Sequence, residues 1–396
     1  MFLKGIRVLD FSRVLVGPLA SMMLADLGAE VIKIEPPEGD ETRYWAPIID
    51  GESGYFMSFN RNKKSIAIDL KKDRGREIVY KLVKISDVVI ENFREGVPEK
   101  LGIDYKTLKE IKPDIIYCSI RGFGSGSPYE SRPLYDVLVQ AKSGLMDLHT
   151  IDNNPPIRVA FALFDVIAGL IASNAILSAL VSRSLTREGA HIEVSLFDSA
   201  IFGLSYIAES FLLTGKVPRY RYSEHPSIVP YQAFKCRDGK WIAVAVTHDK
   251  FWANFCKALG LEELIDDPRF RTNPDRVKNR EILIKILEEK FMLRSRDEWV
   301  KILDSYDVPN APVLSLDEVF KDAHVVNSGI VQEVYHKGLG RKVPLLALPL
   351  KIRGERPRIE SAPPKLGQDV FEILQMLGYS DEKIRELLEE KVVYYR

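Results

Sequence analysis

Short apolar strands alternate with helix-patterned segments from Ile6 to Ile120, and this alternation restricts the fold more than any other feature. IRVLD (6–10) reads as a buried strand, Pro18 suits the first turn of a helix running to Leu27, Gly28 ends it, and VIKIE (31–35) is a second strand. The pattern recurs in SIAID (65–69), a helix over 73–85, DVVIE (87–91), a short helical stretch near 104–111, and DIIYCSI (114–120). Strands separated by helices cannot pair as hairpins. They predict an α/β fold with a mostly parallel sheet, helices on both faces and right-handed crossovers.

Sheets of this kind bind ligands beyond the carboxyl ends of their strands, so the residues after each strand carry the functional information. SRVLVGP follows the first strand and lacks a GxGxxG dinucleotide fingerprint. The later ends supply Arg43, Lys71, Lys72, Arg94, Lys100 and Arg121. Six cations at one sheet edge are either a solvated rim or the footprint of an anion carrying several phosphates. RGFGSGSP after the fifth strand contains Gly122, Gly124 and Gly126, which suits either a flexible turn or close approach of backbone to a ligand.

Farther on, IRVAFALFDVIAGLIASNAILSAL (157–180) holds a single acid, Asp165, among apolar neighbours. Residues 166–182 have apolar residues at helical spacing, so Asp165 reads either as a plain N-cap or as a nucleophilic or acid/base carboxylate held at a helix start. The two roles are compatible. Apolar walls around such a carboxylate would protect an activated acyl group from water.

HIEVSLFD (191–198) predicts another strand entering an apolar helix that runs to about Leu213, and TGKVPRYRYSEHPSIVP (214–230) predicts a linker. YQAFKC and WIAVAV flank RDGK as a hairpin, helices follow near 250–259, 278–291 and 296–305, and VPNAPV (308–313) begins a return. Strand-like GIVQEVY and LLALPLKI precede helices over 367–377 and 381–391. The expected organisation is a large domain from 1–213, a linker over 214–230, a smaller α+β domain over 231–320, and a segment 321–396 completing the large domain.

The chain has 396 residues, 46% hydrophobic and 28% charged, which is enough for a large core and two domains. Lys plus Arg equals Asp plus Glu at 56 each, so no basic surplus points to nucleic acid. The six His lack metal-ligand spacing, and the three cysteines, Cys118, Cys236 and Cys256, form no framework. No signal peptide and no uninterrupted run of 18 apolar residues is apparent, and the stretch around Asp165 comes nearest to one. The expectation is a soluble cytoplasmic protein with no metal, membrane or nucleic-acid partner.

RVLDFSRVLVGPLASMMLADLGAEVIKIEPPEGDETR, NRNKKSIAIDLK, DVVIENFREG, YDVLVQAKSG, VAFALFDVIAGL, HPSIVPYQAF and APPKLGQD resemble, in order and spacing, the class III CoA-transferases, a family that includes the α-methylacyl-CoA racemases. The resemblance spans nearly the whole chain. It implies a Rossmann-like large domain, a small domain and an interlocked homodimer, with coenzyme A or acyl-CoA as substrate and no tightly bound cofactor. It also implies that Asp165 is the acid carrying the acyl and CoA groups. The CoA-contacting positions fall on Val14, Leu15, Ile68, Lys71, Asn92, Phe93, Arg94, Lys100, Tyr135 and Asp136. Arg43 is a further candidate, either for CoA or, with Arg158, for an acyl carboxylate.

Two departures narrow the chemistry. Leu15, Pro36 and Pro133 replace the Gln and basic residues of the oxalate/formate-type members, which argues against oxalyl or formyl substrates. Tyr135 replaces a racemase acid/base His. A transferase moving CoA from an acyl-CoA to a carboxylic acid through a covalent aspartyl intermediate is therefore expected. The alternatives are an α-methylacyl-CoA racemase and a non-catalytic acyl-CoA-binding protein.

Overall fold

The computed structural model describes residues 2–150 and 155–395, and two compact units emerge from its chain contacts. The first comprises Met1–Ser143, Arg158–Ala208 and Ala323–Arg396, and the second comprises Gly144–Ile157 and Glu209–Asp322. The second unit thus takes a piece of chain, Gly144–Ile157, from ahead of the Asp165 helix. The backbone N–H of Tyr220 donates to the Leu148 carbonyl at 2.8 Å, and Arg219 pairs with Asp147 at 2.6 Å.

The first unit is built on a seven-stranded sheet. Across it run Val393–Tyr394, Lys63–Ile68, Glu30–Glu35, Arg7–Asp10, Val88–Glu91, Ile116–Arg121 and Ala190–Ser195. The six longer strands are parallel, and the two-residue C-terminal strand runs antiparallel at the edge. Counted along the chain, the parallel strands lie in the order 3-2-1-4-5-6. The order reverses between Arg7–Asp10 and Val88–Glu91, which opens a crevice beyond their carboxyl ends. Both strands are buried on both faces, which is why they read as continuous apolar runs.

Helices Val16–Asp26 and Leu163–Thr186 pack together through glycine. A Cβ on Gly169 would stand 3.0 Å from the Val16 carbonyl oxygen, closer than nearly all real Cβ contacts, so a side chain there would push the helices apart. Leu163–Thr186 is long and apolar enough, by length and hydropathy alone, to cross a membrane. Its Phe164, Ala168, Ala172 and Ile176 are buried, whereas Leu170, Val181 and Leu185 are exposed.

The second unit has an antiparallel sheet of Tyr231–Lys235, Trp241–Ala245 and Asn310–Pro312, around which Phe234, Trp252, Phe255, Phe291 and Trp299 form a core. VPNAPV is therefore the edge strand of this sheet rather than the start of a return. Proline is tolerated at such an edge because its missing N–H faces away from the ladder. The helix expected up to Leu213 breaks at Ser205, which has φ 53, into Leu196–Gly203 and Ser205–Thr214. The helix expected over 278–291 is present as Arg280–Phe291, with Asn279 at its N-cap and a separate short helix, Asn273–Lys278, before it. The late strand expected at LLALPLKI lies earlier, over Arg341–Leu346, paired with Val331–His336.

Candidate active site

A cavity of about 290 Å³ opens beyond the crevice between the reversing strands. Its wall includes Arg13, Val14, Leu15, Asn92, Phe93, Arg94, Tyr135 and Asp165. A second cavity of about 180 Å³ is lined by Pro36, Ile68, Leu70, Lys71 and Leu101, and it shares Arg13 and Phe93 with the first. Most of the expected positions therefore gather in two cavities with a common wall. Lys100 and Asp136 line neither, and Tyr135 stands 57% exposed at the rim of the first.

Asp165 is not the N-cap of its helix. Ala162 occupies that position, Asp165 lies in the first turn, and the capping oxygen comes from elsewhere in the chain. Asp136 Oδ1 accepts the Phe164 N–H at 2.8 Å, and its Oδ2 accepts from Gln140 Nε2 at 2.6 Å. Gln140 Oε1 in turn accepts the Val159 N–H at 2.8 Å. Asp136 and Gln140 thus brace the strand of chain that delivers Asp165. The Asp165 carboxyl itself has no hydrogen bond or ion pair among the described residues. Burial, followed by the neighbouring negative charge of Asp136, pushes its pKa up to about 7. The expectation that apolar surroundings would require a partner for an ionised carboxylate is met by easier protonation instead.

Asn92 lines the first cavity and also holds backbone. Its Oδ1 accepts the Arg13 N–H at 2.8 Å and its Nδ2 donates to the Arg13 carbonyl at 2.8 Å, so the amide is used on backbone. This clamp holds a loop in which Val14 has φ 68, a left-handed conformation rare for a β-branched residue.

The expected cationic edge is dispersed. Arg43 makes a two-pronged pair with buried Glu35, both contacts at 2.7 Å, and lies over the Phe56 ring at 3.7 Å, so it is not a free anion ligand. Arg121 pairs with buried Glu91 at 2.7 Å and with Glu95 at 3.3 Å. Lys72 donates to the Glu390 carbonyl at 2.6 Å, and Arg158 donates to the carbonyls of Val159 and Ala160. Arg94 and Lys71 line the cavities, as does the paired Arg121. Beneath the site lies a buried charge group that the sequence did not reveal. Lys63 pairs with Asp10 at 2.9 Å and Lys33 with Asp40 at 3.0 Å. Burial raises the pKa of Asp10, but the ammonium groups of Lys63 and Lys33 and the hydroxyls of Ser12 and Ser21 outweigh it and hold the group at about 2.

Arg13 lines both cavities, and the only local signal for it is its place in SRVLVGP directly after the first strand. Among the described residues, no group of three or more His, Cys, Asp or Glu is placed to hold a metal ion.

Comparison with known proteins identifies the chain at family level. The model of CoA-transferase family III matches residues 3–370. The human protein named succinyl-CoA:glutarate CoA-transferase is 41% identical over 99% of this chain and 90% of its own length. The Agrobacterium fabrum protein named succinate–glutarate CoA-transferase is 35% identical over 95% of each. A crystal structure of a CAIB/BAIF family protein from Brucella suis superposes with a TM-score of 0.84 at 38% identity, covering 94% of this chain and 98% of the other. With a parallel sheet opening a crevice at its reversal point and an acid delivered beside it, the chain belongs to the class III CoA-transferases, enzymes that move CoA between an acyl thioester and a carboxylic acid.

Proposed function

We propose that this enzyme transfers CoA through covalent intermediates on Asp165, with small dicarboxylic acids as its acyl donors and acceptors. The observation that carries the reading is an unpartnered carboxyl in a cavity walled in part by Leu15, Val16, Ile120 and Leu196. With a pKa near 7 a substantial fraction is ionised at neutral pH, and among the described residues no cation pairs with it to quench its nucleophilicity. The ionised oxygen attacks the thioester carbonyl, the C–S bond breaks, and CoA thiolate leaves behind a mixed anhydride. The thiolate then attacks the Asp165 carbonyl carbon, releasing the donor acid as a carboxylate and leaving an Asp165–CoA thioester. The incoming carboxylate attacks that thioester and expels the thiolate, which returns to the new acyl group and frees Asp165. Each step exchanges one acyl bond for another and consumes no proton. Apolar walls preserve the activated acyl group from hydrolysis.

The names of the human and Agrobacterium fabrum relatives support succinyl and glutaryl groups as substrates. A homodimer is supported by uncovered apolar surface. Helix Ser205–Thr214 has no buried residue, and Phe202, Leu212 and Leu213 are each at least 75% exposed.

Incubation with succinyl-CoA followed by hydroxylamine is expected to place a hydroxamate on Asp165, read by peptide mass spectrometry. Asp165→Ala should reduce transfer to near background, and Asp165→Glu should lose on the order of 100-fold because the attacking oxygen is displaced by about 1 Å. An Asp165→Ala protein that transfers CoA at a substantial fraction of the native rate would remove the covalent pathway.

A further inference from the structure

The loop leaving the first strand crosses the reversal point of the sheet, and Arg13 is its only ionic side chain between Phe11 and Val16. Its guanidinium lies 5.3 Å from the centroid of the Phe93 ring, and its Nε is buried without a hydrogen-bond partner. Among the described residues no carboxylate pairs with it. The neighbouring strand-end arginines contrast with it, because Arg43 is neutralised by Glu35 and Arg121 by Glu91. A buried N–H left unanswered is costly, and native structures seldom retain one unless something else supplies the acceptor.

The backbone around Arg13 is held in place by independent means. Asn92 bonds both its N–H and its carbonyl, and the left-handed Val14 that follows is strain of the kind that persists where the surroundings over-determine it. Arg13 also lies in the wall common to both cavities, between the side holding Asp165 and the side holding Ile68 and Lys71. An unpaired guanidinium on that held backbone, resting over Phe93, matches an oxyanion, which it can grip through two parallel N–H groups.

We propose that Arg13 binds an oxyanion of the acyl-CoA substrate, a phosphate of the CoA moiety or the terminal carboxylate of the acyl chain, and that Asn92 is its positioning residue. The inference rests on the reading of these cavities as the acyl-CoA site. It adds a charged specificity determinant to the first strand end, beside Val14 and Leu15.

The test compares wild type with Arg13→Gln and Arg13→Lys in two arms. Calorimetric titration with free CoA reports the phosphate contact. Steady-state kinetics with succinyl-CoA and butyryl-CoA, which share chain length but differ in the terminal carboxylate, report the other. Arg13→Gln is expected to lose about 10-fold or more in one arm, with partial recovery in Arg13→Lys and an unchanged melting temperature. A loss of affinity for free CoA assigns the phosphate. Unchanged CoA affinity with KM raised for succinyl-CoA alone assigns the carboxylate. Asn92→Ala should raise the same constant, and adding it to Arg13→Gln should cause little further loss. Wild-type values in both arms for Arg13→Gln, or a fall in kcat alone, would overturn the assignment while leaving the acyl-CoA reading intact. A wild-type protein that neither binds CoA nor uses either thioester would overturn both.

Discussion

Asp165 and Asp136 act on each other as charges as well as through the backbone, and the consequences are measurable. Attack needs the ionised form of Asp165, so the rate of acylation by subsaturating acyl-CoA should rise as pH passes through about 7 and level off above it. Asp136→Asn removes the nearby negative charge while burial remains. The midpoint should therefore move to lower pH, and kcat should also fall because the introduced amide can accept the Phe164 N–H but then turns an NH2 toward Gln140 Nε2, the donor whose hydrogen bond Asp136 accepts. A rate that is flat from about pH 5 to about pH 9 would contradict the assignment. The same shift acts on stability with the opposite sense. A carboxyl whose folded pKa lies above its ordinary value of 3.8 binds more protons when folded, so its contribution falls as pH rises from there to about 7. Asp165→Asn should accordingly be more stable than wild type at pH 8, on the order of 1–3 kcal/mol, and the advantage should vanish near pH 3.5, as thermal melts would show.

At the scale of elements, the site depends on how closely the Val16–Asp26 and Leu163–Thr186 helices approach. Gly169→Val would place its Cβ at 3.0 Å from the Val16 carbonyl oxygen and from Leu19 Cδ2, and two further methyl groups would add to the crowding. The expected cost is about 1–3 kcal/mol in chemical denaturation, with a larger fractional loss of kcat than of CoA affinity, because the helix that moves carries Asp165. Below these helices, Lys63→Met would leave Asp10 as a buried carboxylate without its closest cation. A loss of about 3–5 kcal/mol is expected, because breaking one side of a buried pair costs far more than the intact pair contributes. A loss below about 1 kcal/mol would mean that Lys33 or entering water replaces the missing charge.

The whole molecule presents more apolar surface than one copy covers. Phe202 is 78% exposed, Leu185 81% and Leu213 78%, on helices whose composition would suit an interior. Exposed apolar helices of this kind point to an association surface. The protein is expected to sediment as a dimer down to nanomolar concentration, and tagged and untagged subunits mixed under native conditions should fail to exchange if the chains are threaded through each other. Rapid exchange would leave a dimer of separate subunits, and a monomer at micromolar concentration would remove the assembly.

The parallel sheet was legible from sequence because strands such as VVIE are buried on both faces and alternate with an amphipathic helix such as Asp73–Lys84. The special position of Asp165 was legible too, since one acid in an apolar run is conspicuous at short range. The helix break at Ser205 and the edge pairing of Asn310–Pro312 were not, because local periodicity carries no information about which distant segment completes a turn or a ladder. Charge identity was equally visible at Arg43, Arg94 and Arg13, but charge availability was not. Arg43 is answered by Glu35 across the sheet end, while Arg13 is answered by nothing among the described residues. Likewise Asp136, 29 positions before Asp165, caps the helix that Asp165 was expected to cap. The sequence by itself determined the sheet, the edge where its cavities open and the acid delivered to that edge, because short-range patterns encode burial. Only the tertiary structure decided which charges remain free to meet a substrate, because neutralisation depends on side chains brought together from distant parts of the chain.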